Sequence, residues 1–348
     1  MMLPEPPPAA LRLRLDSDAL ASNWRWLDRL SGAASAGAAV KADAYGIGAA
    51  AAVPVLWEAG ARDFFVAHWR EVPDLLGCVP AESISVLHGP LDAADAAYAR
   101  ATGVRPVINS LRQAQLWLDG GGGPCDLMVD TGINRLGLPM DALGDEAIGR
   151  LNIDVLLSHL ACADEDVPLN ELQRQRWEQA KSQAPHRRSS LANSAGIALG
   201  CAYHGELTRP GMSLYGGVPR PEMADSLRQV ALPEAAIMQV RQLKSGDSVG
   251  YNSTFTAKAP MQVGVVSIGY ADGYLRCWSG KGMLHSSGRP LPVLGRVSMD
   301  MTVIDLTAAP DLREGDWVSL DYALPQAAAA SGLSQYELLT LLGRRFGR

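Results

Sequence analysis

The chain of 348 residues is poor in lysine and cysteine, and each shortage excludes a class of protein. Only five lysines occur and the formal net charge is -6, so no basic block favours nucleic acid or an anionic membrane surface. The five cysteines stand singly without a CxxC pair, which is typical of reduced thiols in a cytoplasmic protein. The six histidines show no metal-ligand spacing with them. The proline-rich N-terminus is followed by no apolar segment, which predicts neither a signal peptide nor a membrane span.

A coarse alternation of strand and helix patterns dominates the first two thirds of the chain. Each short apolar run is followed by a polar residue and then by a helical segment. The eight runs are Ala36–Val40, Phe64–Ala67, Ile84–Leu87, Pro106–Asn109, Leu127–Asp130, Asp154–Ser158, Ser189–Ala192 and Leu207–Leu214. Eight strands that alternate with helices predict a closed parallel (β/α)8 TIM barrel.

The pattern changes after the linker-like segment Gly216–Pro221. Six short alternating runs follow, separated by turn residues, which predicts a small, mostly antiparallel β domain. A last helix is expected from the Ser334 cap to near Phe346. We therefore predict an α/β protein with a barrel over 11–221 and a β domain over 222–348. The strand pattern at 11–15 is a candidate to pack on the second domain.

Lys41 stands out because an apolar strand pattern ends in it and a glycine-bearing turn follows. Of the five lysines, only Lys41 stands at the end of a predicted apolar strand. Burial at such a position favours loss of the proton of the amine. One interpretation is a strand-terminal lysine that reaches into solvent. The other is a lysine that is deprotonated so that it condenses with an aldehyde to a Schiff base.

Other reactive side chains follow the predicted strands at their carboxyl ends, where barrel enzymes place their chemistry. Besides Lys41 these are Tyr45, Asp130, Arg135, His159, Asn193, Ser194, Arg209, Gly211 and Met212. Hydroxyls and glycine amides after the seventh and eighth strands suit a phosphate. A lysine that faces a phosphate on one barrel mouth indicates pyridoxal 5'-phosphate, whereas a dinucleotide would need the absent GxGxxG pattern.

These motifs resemble those of one family in the expected order. They are AVKADAYGIG, VDTGINRLG, SHLACADE, ANSAG, TRPGMSLYG, GYNSTF, SIGYADGY, GRVSMDMTVID and QYELLTLLGRR. The chain resembles the alanine racemases, fold-type III pyridoxal-phosphate enzymes, over nearly its whole length from about Leu11. The resemblance implies a cytoplasmic isomerase that interconverts L- and D-alanine, as a homodimer with shared active sites. The enzyme would either supply D-alanine for peptidoglycan or degrade alanine.

The resemblance also implies roles for individual residues. Lys41 holds the cofactor and serves as one catalytic base, and Tyr251, supplied by the partner subunit, serves as the other. Phosphate binding is expected from Tyr45, Ser194, Tyr336 and the backbone amides of Gly211 and Met212. His159 is expected to stack against or brace the ring, and Arg209 to donate to its nitrogen. The carboxylate pocket and its entrance are expected to be Arg135, Tyr270, Met299, through its amide, and Asp300.

The same residues also have simpler interpretations. Arg209 fits a structural turn, and His159 fits a core histidine whose hydrogen bonds are satisfied. A simpler role as packing aromatics is open to Tyr251, Tyr270 and Tyr336. Asp300 also fits a residue that merely caps a turn. Three other functions stay open: a racemase of broader specificity that includes serine, a fold-type III amino-acid decarboxylase, and a cofactor-carrying protein without turnover. Arg209 is evidence against the decarboxylase. Tyr251 and the β domain are evidence against a cofactor-carrying protein without turnover.

Met128 departs from the family pattern. Many relatives carry a lysine two residues before Asp-Thr-Gly, often carbamylated, which positions the arginine downstream. A thioether accepts no charge-assisted hydrogen bond from Arg135. We therefore expect another anion, such as chloride, or a neighbouring side chain to take this place.

Overall fold

The structure is a computed structural model that describes residues 7–343 and 345–347. The chain divides into two compact units, Ser17–Arg228 and the remainder, in which the residues up to Asp16 join those from Gln229 onward. The sequence places the division at 221/222 instead, and those domain ranges stay a prediction. Among the helices of the described ranges, none combines the length and the apolar character that crossing a bilayer requires.

The unit Ser17–Arg228 is built on parallel strands. They are Ser35–Ala36 with Ala38–Ala39, Phe64–Val66, Ile84–Val86, Arg105–Ile108, Pro124–Met128, Asn152–Leu157, Arg188–Ser190 and Leu207–Thr208, numbered here as barrel strands 1 to 8. Strands 1 to 7 pair in chain order. Strand 8 pairs in parallel with Ser35–Ala36, and beyond it the Arg209 amide donates to the Ala192 carbonyl at 2.9 Å. Hydrogen bonds therefore connect strand 8 to both of its neighbours, and the predicted barrel fold is confirmed.

Helices of 4 to 16 residues alternate with these strands. They are Ser17–Leu30, Lys41–Tyr45, Ala49–Ala59, Pro73–Leu76, Ala93–Thr102, Leu111–Asp119, Glu146–Gly149, Pro168–Gln183 and Ser194–Ala198, with 3-10 turns at Trp69–Glu71, Ala81–Ser83, Met140–Ala142, Cys201–Tyr203, Met212–Tyr215 and Pro221–Met223. The helix Ser17–Leu30 buries Leu20, Trp24 and Leu27, whose spacing places them on one face. Strand 8 is shorter than the predicted Leu207–Leu214, because Pro210 has no amide to continue the ladder.

Charged side chains fill the amino end of the barrel. Arg105 contacts the carboxylates of Asp63 at 3.0 Å and Asp154 at 3.2 Å. Arg188 pairs with the same two carboxylates at 2.8 and 2.7 Å. Asp126, which is fully buried, lies 3.5 Å from the Arg105 guanidinium. The barrel core therefore contains an ion network where branched aliphatic residues usually pack.

The other unit is an antiparallel β structure. Its strands are Leu11–Leu15, Ala231–Leu243, Ser248–Val249, Phe255–Thr256, Met261–Val266, Met283–Ser286, Arg289–Leu294, Thr302–Asp305 and Trp317–Leu320, its helices are Leu324–Ser331 and Gln335–Thr340, and 3-10 turns lie at Tyr251–Ser253, Tyr270–Asp272 and Arg276–Trp278. The long strand Ala231–Leu243 pairs with Leu11–Leu15, Met261–Val266 and Trp317–Leu320. The mostly antiparallel β domain is thereby confirmed.

The last helix ends earlier than predicted. The sequence predicts a helix to near Phe346, but the structure ends it at Thr340. Gly343 instead donates its amide to the Asp272 carbonyl at 3.1 Å, a hydrogen bond to another loop that a continuing helix would lose. Phe346 is nonetheless buried.

Candidate active site

Lys41 begins a turn of unusual handedness at the carboxyl end of strand 1. The four residues Ala42–Tyr45 all have φ between 53° and 58°, in the left-handed region. Two backbone hydrogen bonds of 2.8 Å close the turn, from Ala44 to Val40 and from Gly46 to Ala42. Each L-residue in this conformation costs about 1–2 kcal/mol, so the turn is strained and must be held by its surroundings.

The surroundings of Lys41 favour its uncharged amine. The residue is half-buried. Burial is the main cause that lowers its pKa below the usual lysine value, and the charges of Arg135 and Arg209 lower the pKa further. Glu71 acts in the opposite direction. A lysine needs such a lowered pKa to act as a nucleophile or as a base near neutral pH.

Hydroxyl and amide groups meet after strands 7 and 8. The Ser194 Oγ accepts hydrogen bonds from the amides of Gly211 at 2.9 Å and Ser213 at 3.3 Å. A Cβ atom added at Gly211 would lie 2.3 Å from the Tyr45 hydroxyl, so that hydroxyl is close to the same backbone. The next amide, that of Met212, begins a 3-10 turn. This group of Tyr45, Ser194, Gly211, Met212 and Ser213 is called the hydroxyl–amide cluster below.

The hydroxyl–amide cluster suits the phosphate of pyridoxal phosphate. The Ser213 Oγ is buried and has no hydrogen-bond partner among the described residues. Amides and hydroxyls form the neutral donor set that binds a phosphate at barrel mouths. Asn193 supports the set, because its side chain caps the helix that starts at Ser194 by accepting from the Gly196 amide at 2.9 Å.

Arg209 points into the barrel and bonds only uncharged oxygens among the described residues. Its Nη1 donates to the carbonyl and to the hydroxyl of Ser190, at 2.8 and 2.5 Å, and its Nη2 donates to the Ser158 carbonyl at 2.5 Å. Burial lowers its pKa to about 10, against the opposing charge of Asp126. The guanidinium is therefore still charged at neutral pH, and it donates hydrogen bonds but accepts none.

His159 follows strand 6 and is surrounded by cations. Burial is the largest cause that lowers the pKa of its imidazole to about 3, and Arg209, Arg135 and Lys41 lower it further. Its carbonyl accepts a 3.0 Å hydrogen bond from Gln173, which fixes its backbone. A neutral imidazole is suited to stacking or bracing a ring rather than to pairing with an anion.

This environment predicts that His159 stays neutral in the cofactor-free folded protein. In the unfolded chain the imidazole takes up a proton below about pH 6.5, but the folded protein does so only near pH 3. The contribution of this group to stability is therefore full above about pH 6.5 and is lost progressively as the pH falls. Histidine-selective NMR from pH 5 to 8, assigned with His159→Gln, measures the titration. A midpoint near pH 6.5 would contradict the assignment.

The loop that carries Arg135 is fixed by Asp130. The Asp130 Oδ1 accepts hydrogen bonds from the amides of Gly132, Ile133 and Asn134 at 2.8, 3.1 and 3.2 Å. The Arg135 side chain is exposed and forms no hydrogen bond or ion pair with another described residue. The predicted anion opposite Arg135 stays a prediction.

Tyr251 lies in the antiparallel unit at the tip of a hairpin. The short strands Ser248–Val249 and Phe255–Thr256 pair on either side of it. Gly250 before it has φ 72° and Asn252 after it has φ 62°, so left-handed residues shape the tip. The tyrosine side chain is 66% exposed. This exposure excludes the alternative of a packing aromatic within the described part of this chain.

Three further predicted residues lie together in the same unit. The amide of Tyr270 donates to the Ser298 carbonyl, and the amide of Ala271 donates to the Met299 carbonyl, both at 3.0 Å. Asp300 pairs with Arg345 at 2.7 Å. The structure thus brings Tyr270, Met299 and Asp300 together through two packed loops.

Tyr336, the remaining predicted phosphate ligand, lies on the helix Gln335–Thr340 of this unit. Its side chain is 46% exposed, whereas the neighbouring Leu338 and Leu339 are fully buried. The side chain is therefore on the open face of the helix. A role in packing the core of this helix, the simpler interpretation, does not fit that exposure.

Sequence reasoning missed Ser213, Ser190 and Glu71. Ser213 stands inside the motif TRPGMSLYG, but its hydroxyl has no sequence signal that separates it from Ser194. The sequence pattern places Ser190 in a strand, where no signal marks its hydroxyl as a contact of Arg209. Glu71 follows strand 2 at the carboxyl end of the barrel, which is the signal that could have identified it.

Comparison with known proteins gives one family for both units. The model of the alanine racemase N-terminal domain matches residues 15–219, and that of the C-terminal domain matches residues 230–348. The biosynthetic alanine racemase of Agrobacterium fabrum is 41% identical over 366 residues, which cover 98% of this chain and 93% of the relative. The alanine racemase of Rhizobium meliloti is 40% identical and covers 100% and 98%.

Solved structures agree with these matches. The alanine racemase of Bartonella henselae, with covalently bound pyridoxal phosphate, has a TM-score of 0.88 and 33% identity, and covers 98% of this chain and 99% of its own. The biosynthetic alanine racemase of Pseudomonas aeruginosa has a TM-score of 0.86 and 32% identity, with the same coverage.

The fold and the barrel site define an isomerase of the β/α-barrel class that depends on pyridoxal phosphate. Its barrel mouth combines an amine of lowered pKa, a hydroxyl–amide cluster and a buried cation. The chain belongs to the alanine racemase family.

Proposed function

We propose that this chain interconverts L-alanine and D-alanine with pyridoxal phosphate bound to Lys41. The observation that carries the proposal is the barrel mouth, where Lys41 has a lowered pKa near the buried cation Arg209. When bound, the cofactor supplies an electron-withdrawing ring that makes the α-proton of an amino acid acidic. Tyr45, Ser194, Gly211 and Met212 would hold its phosphate, together with Tyr336.

Two proton carriers on opposite faces of the substrate carry out the inversion. The Lys41 Nζ takes or returns a proton at Cα on one face, and the Tyr251 Oη does so on the other. A single base would have to move across the plane of the substrate between the two transfers.

Arg209 limits the reaction to proton transfer. Placed at the ring nitrogen, its guanidinium donates a hydrogen bond and cannot pass on or accept a proton there. Arg209 would therefore supply no proton that strengthens the ring as an acceptor of electrons. Loss of the substrate carboxylate, the chemistry of the decarboxylase alternative, is disfavoured for this reason.

The carboxylate of the substrate is assigned to Arg135, with Tyr270, Met299 and Asp300 at the entrance. We further propose a homodimer in which each Tyr251 completes the site of the partner subunit. Exposed apolar side chains in the antiparallel unit support this, at Tyr251 (66%), Met299 (53%), Met301 (49%) and Tyr336 (46%). A cytoplasmic enzyme that supplies D-alanine for peptidoglycan fits the biosynthetic relatives.

Exchange of the α-proton in deuterated water tests the function and the roles of the two bases. Wild-type protein with the cofactor is expected to place deuterium at Cα of both alanine enantiomers, measured by chiral chromatography with mass spectrometry. Tyr251→Phe removes one proton carrier, so exchange from one enantiomer should fall about a hundredfold or more, and far more than from the other. Serine in place of alanine measures the breadth of the substrate range.

Tyr203→Phe is the matched control, since among the described residues that hydroxyl bonds only the exposed Glu171, at 3.5 Å. Its exchange should equal that of the wild type. Equal losses for both enantiomers in Tyr251→Phe would refute the two-base assignment, and no deuterium in wild type would refute the racemase itself.

A further inference from the structure

The carboxylate of Glu71 connects two loops at the mouth of the barrel. Its Oε1 accepts a 2.5 Å hydrogen bond from the Ala42 amide, directly after Lys41. Its Oε2 accepts hydrogen bonds from the amides of Ala67 at 2.7 Å and His68 at 2.9 Å, at the end of strand 2. One side chain therefore links the turn after strand 1 to the end of strand 2.

The contact with Ala42 falls at the first of the four left-handed residues. The internal hydrogen bonds of the turn use the amides of Ala44 and Gly46, and the Ala42 amide is bonded by Glu71. Hydrogen bonds to a carboxylate are stronger than those between neutral groups. Because a strained backbone persists only where its surroundings hold it, Glu71 is well placed to keep this turn, and with it Lys41, in position.

Glu71 also supplies the negative charge among the titratable groups around the Lys41 amine. These groups come from five barrel loops and are Glu71, His88, Arg135, His159 and Arg209. Arg135 and Arg209 lower the pKa of Lys41 and Glu71 raises it. An amine that removes a proton from carbon must bind that proton firmly, so a negative charge beside it offsets the two arginines.

We propose that Glu71 is a positioning residue, which fixes the turn that carries Lys41 and holds a compensating negative charge beside the Lys41 amine. The inference rests on the proposed function, since it concerns the amine that is assigned the proton transfer at Cα. A purely structural role is the rival explanation, because the same carboxylate caps the 3-10 turn Trp69–Glu71 through the His68 amide.

The test compares Glu71→Gln with the wild type, first without cofactor. Competitive labelling of the Lys41 amine with acetic anhydride across pH, read by mass spectrometry, gives the pKa of that amine. Loss of the charge should lower this pKa by about one unit. Hydrogen exchange at the Ala42 amide should become about fivefold faster, since a neutral acceptor replaces a charged one. In the cofactor-loaded enzyme, the acidic limb of the kcat profile should move to lower pH.

Two variants separate charge from folding. Glu71→Asp keeps the charge, so the amine pKa should stay near that of the wild type. Glu58→Gln, on the helix Ala49–Ala59, removes an equal charge from an exposed position and should change neither quantity.

The possible outcomes are distinct. An unchanged amine pKa together with unchanged Ala42 exchange in Glu71→Gln overturns the proposal, and so does a lower melting temperature without either change. Failure of the proposed function would instead appear in the wild type, as absence of a covalent cofactor at Lys41. The labelling and exchange experiments on cofactor-free protein are independent of that result.

Discussion

Replacing Lys41 by alanine is expected to lower the rate of racemisation by about a thousandfold or more, because one proton carrier and the attachment of the cofactor are lost together. Exchange of the α-proton should fall more for the enantiomer that Lys41 serves than for the other enantiomer. The absorbance of covalently bound cofactor, and its fixation to the chain by borohydride, should be absent. Both are measured on the purified variant after incubation with pyridoxal phosphate.

Lys181→Ala is the control for this substitution. That lysine lies on the helix Pro168–Gln183 and pairs with Glu178 at 2.8 Å, away from the carboxyl ends of the strands. It should keep the wild-type rate and absorbance. Retention of borohydride-fixed cofactor in Lys41→Ala would show that another amine holds it, and the site proposed here would then be wrong.

Replacing Arg105 by methionine is expected to lower the free energy of unfolding by about 3–5 kcal/mol, the range for breaking a buried ion pair by removal of one partner. Asp126 would lose its only ion pair among the described residues, while Asp63 would keep Arg188, and Asp154 would keep Arg188 and, at 3.8 Å, Arg187. Urea unfolding of the cofactor-free protein, followed by circular dichroism, measures the change.

Arg289→Met provides a matched loss of one arginine at the surface. Arg289 pairs with Asp311, and both side chains are at least a third exposed, so its removal should have only a small effect. If Arg105→Met were as stable as Arg289→Met, the buried network would not support the barrel.

The architecture was predictable from the sequence because its strands differ so clearly from its helices. The predicted run Phe64–Ala67, for example, agrees with the observed bounds of strand 2 to within two residues. Such runs are easy to recognise because parallel strands that are covered on both faces are apolar throughout. The predicted strand Leu207–Leu214 was too long, because its apolar residues after Pro210 are buried in a 3-10 turn rather than in a strand.

The candidate site was predictable only in part. Lys41, His159 and Arg209 follow from the rule that barrel chemistry lies at the carboxyl ends of strands. The ion network was not predictable, since Arg105 and Asp126 stand beside or within apolar runs and their pairing needs the closed barrel. The left-handed turn was also missed, because Ala42–Tyr45 contains no glycine.

The handedness of that turn has a consequence for which sequences this loop tolerates. A branched side chain at the β-carbon is a steric outlier at positive φ, so valine or isoleucine at Ala42 or Ala44 would clash with its own backbone. At these two positions, small residues or those such as asparagine and aspartate that accept left-handed angles fit best. Variation in this loop is thus restricted by backbone shape, even where the side chain itself contacts no reactant.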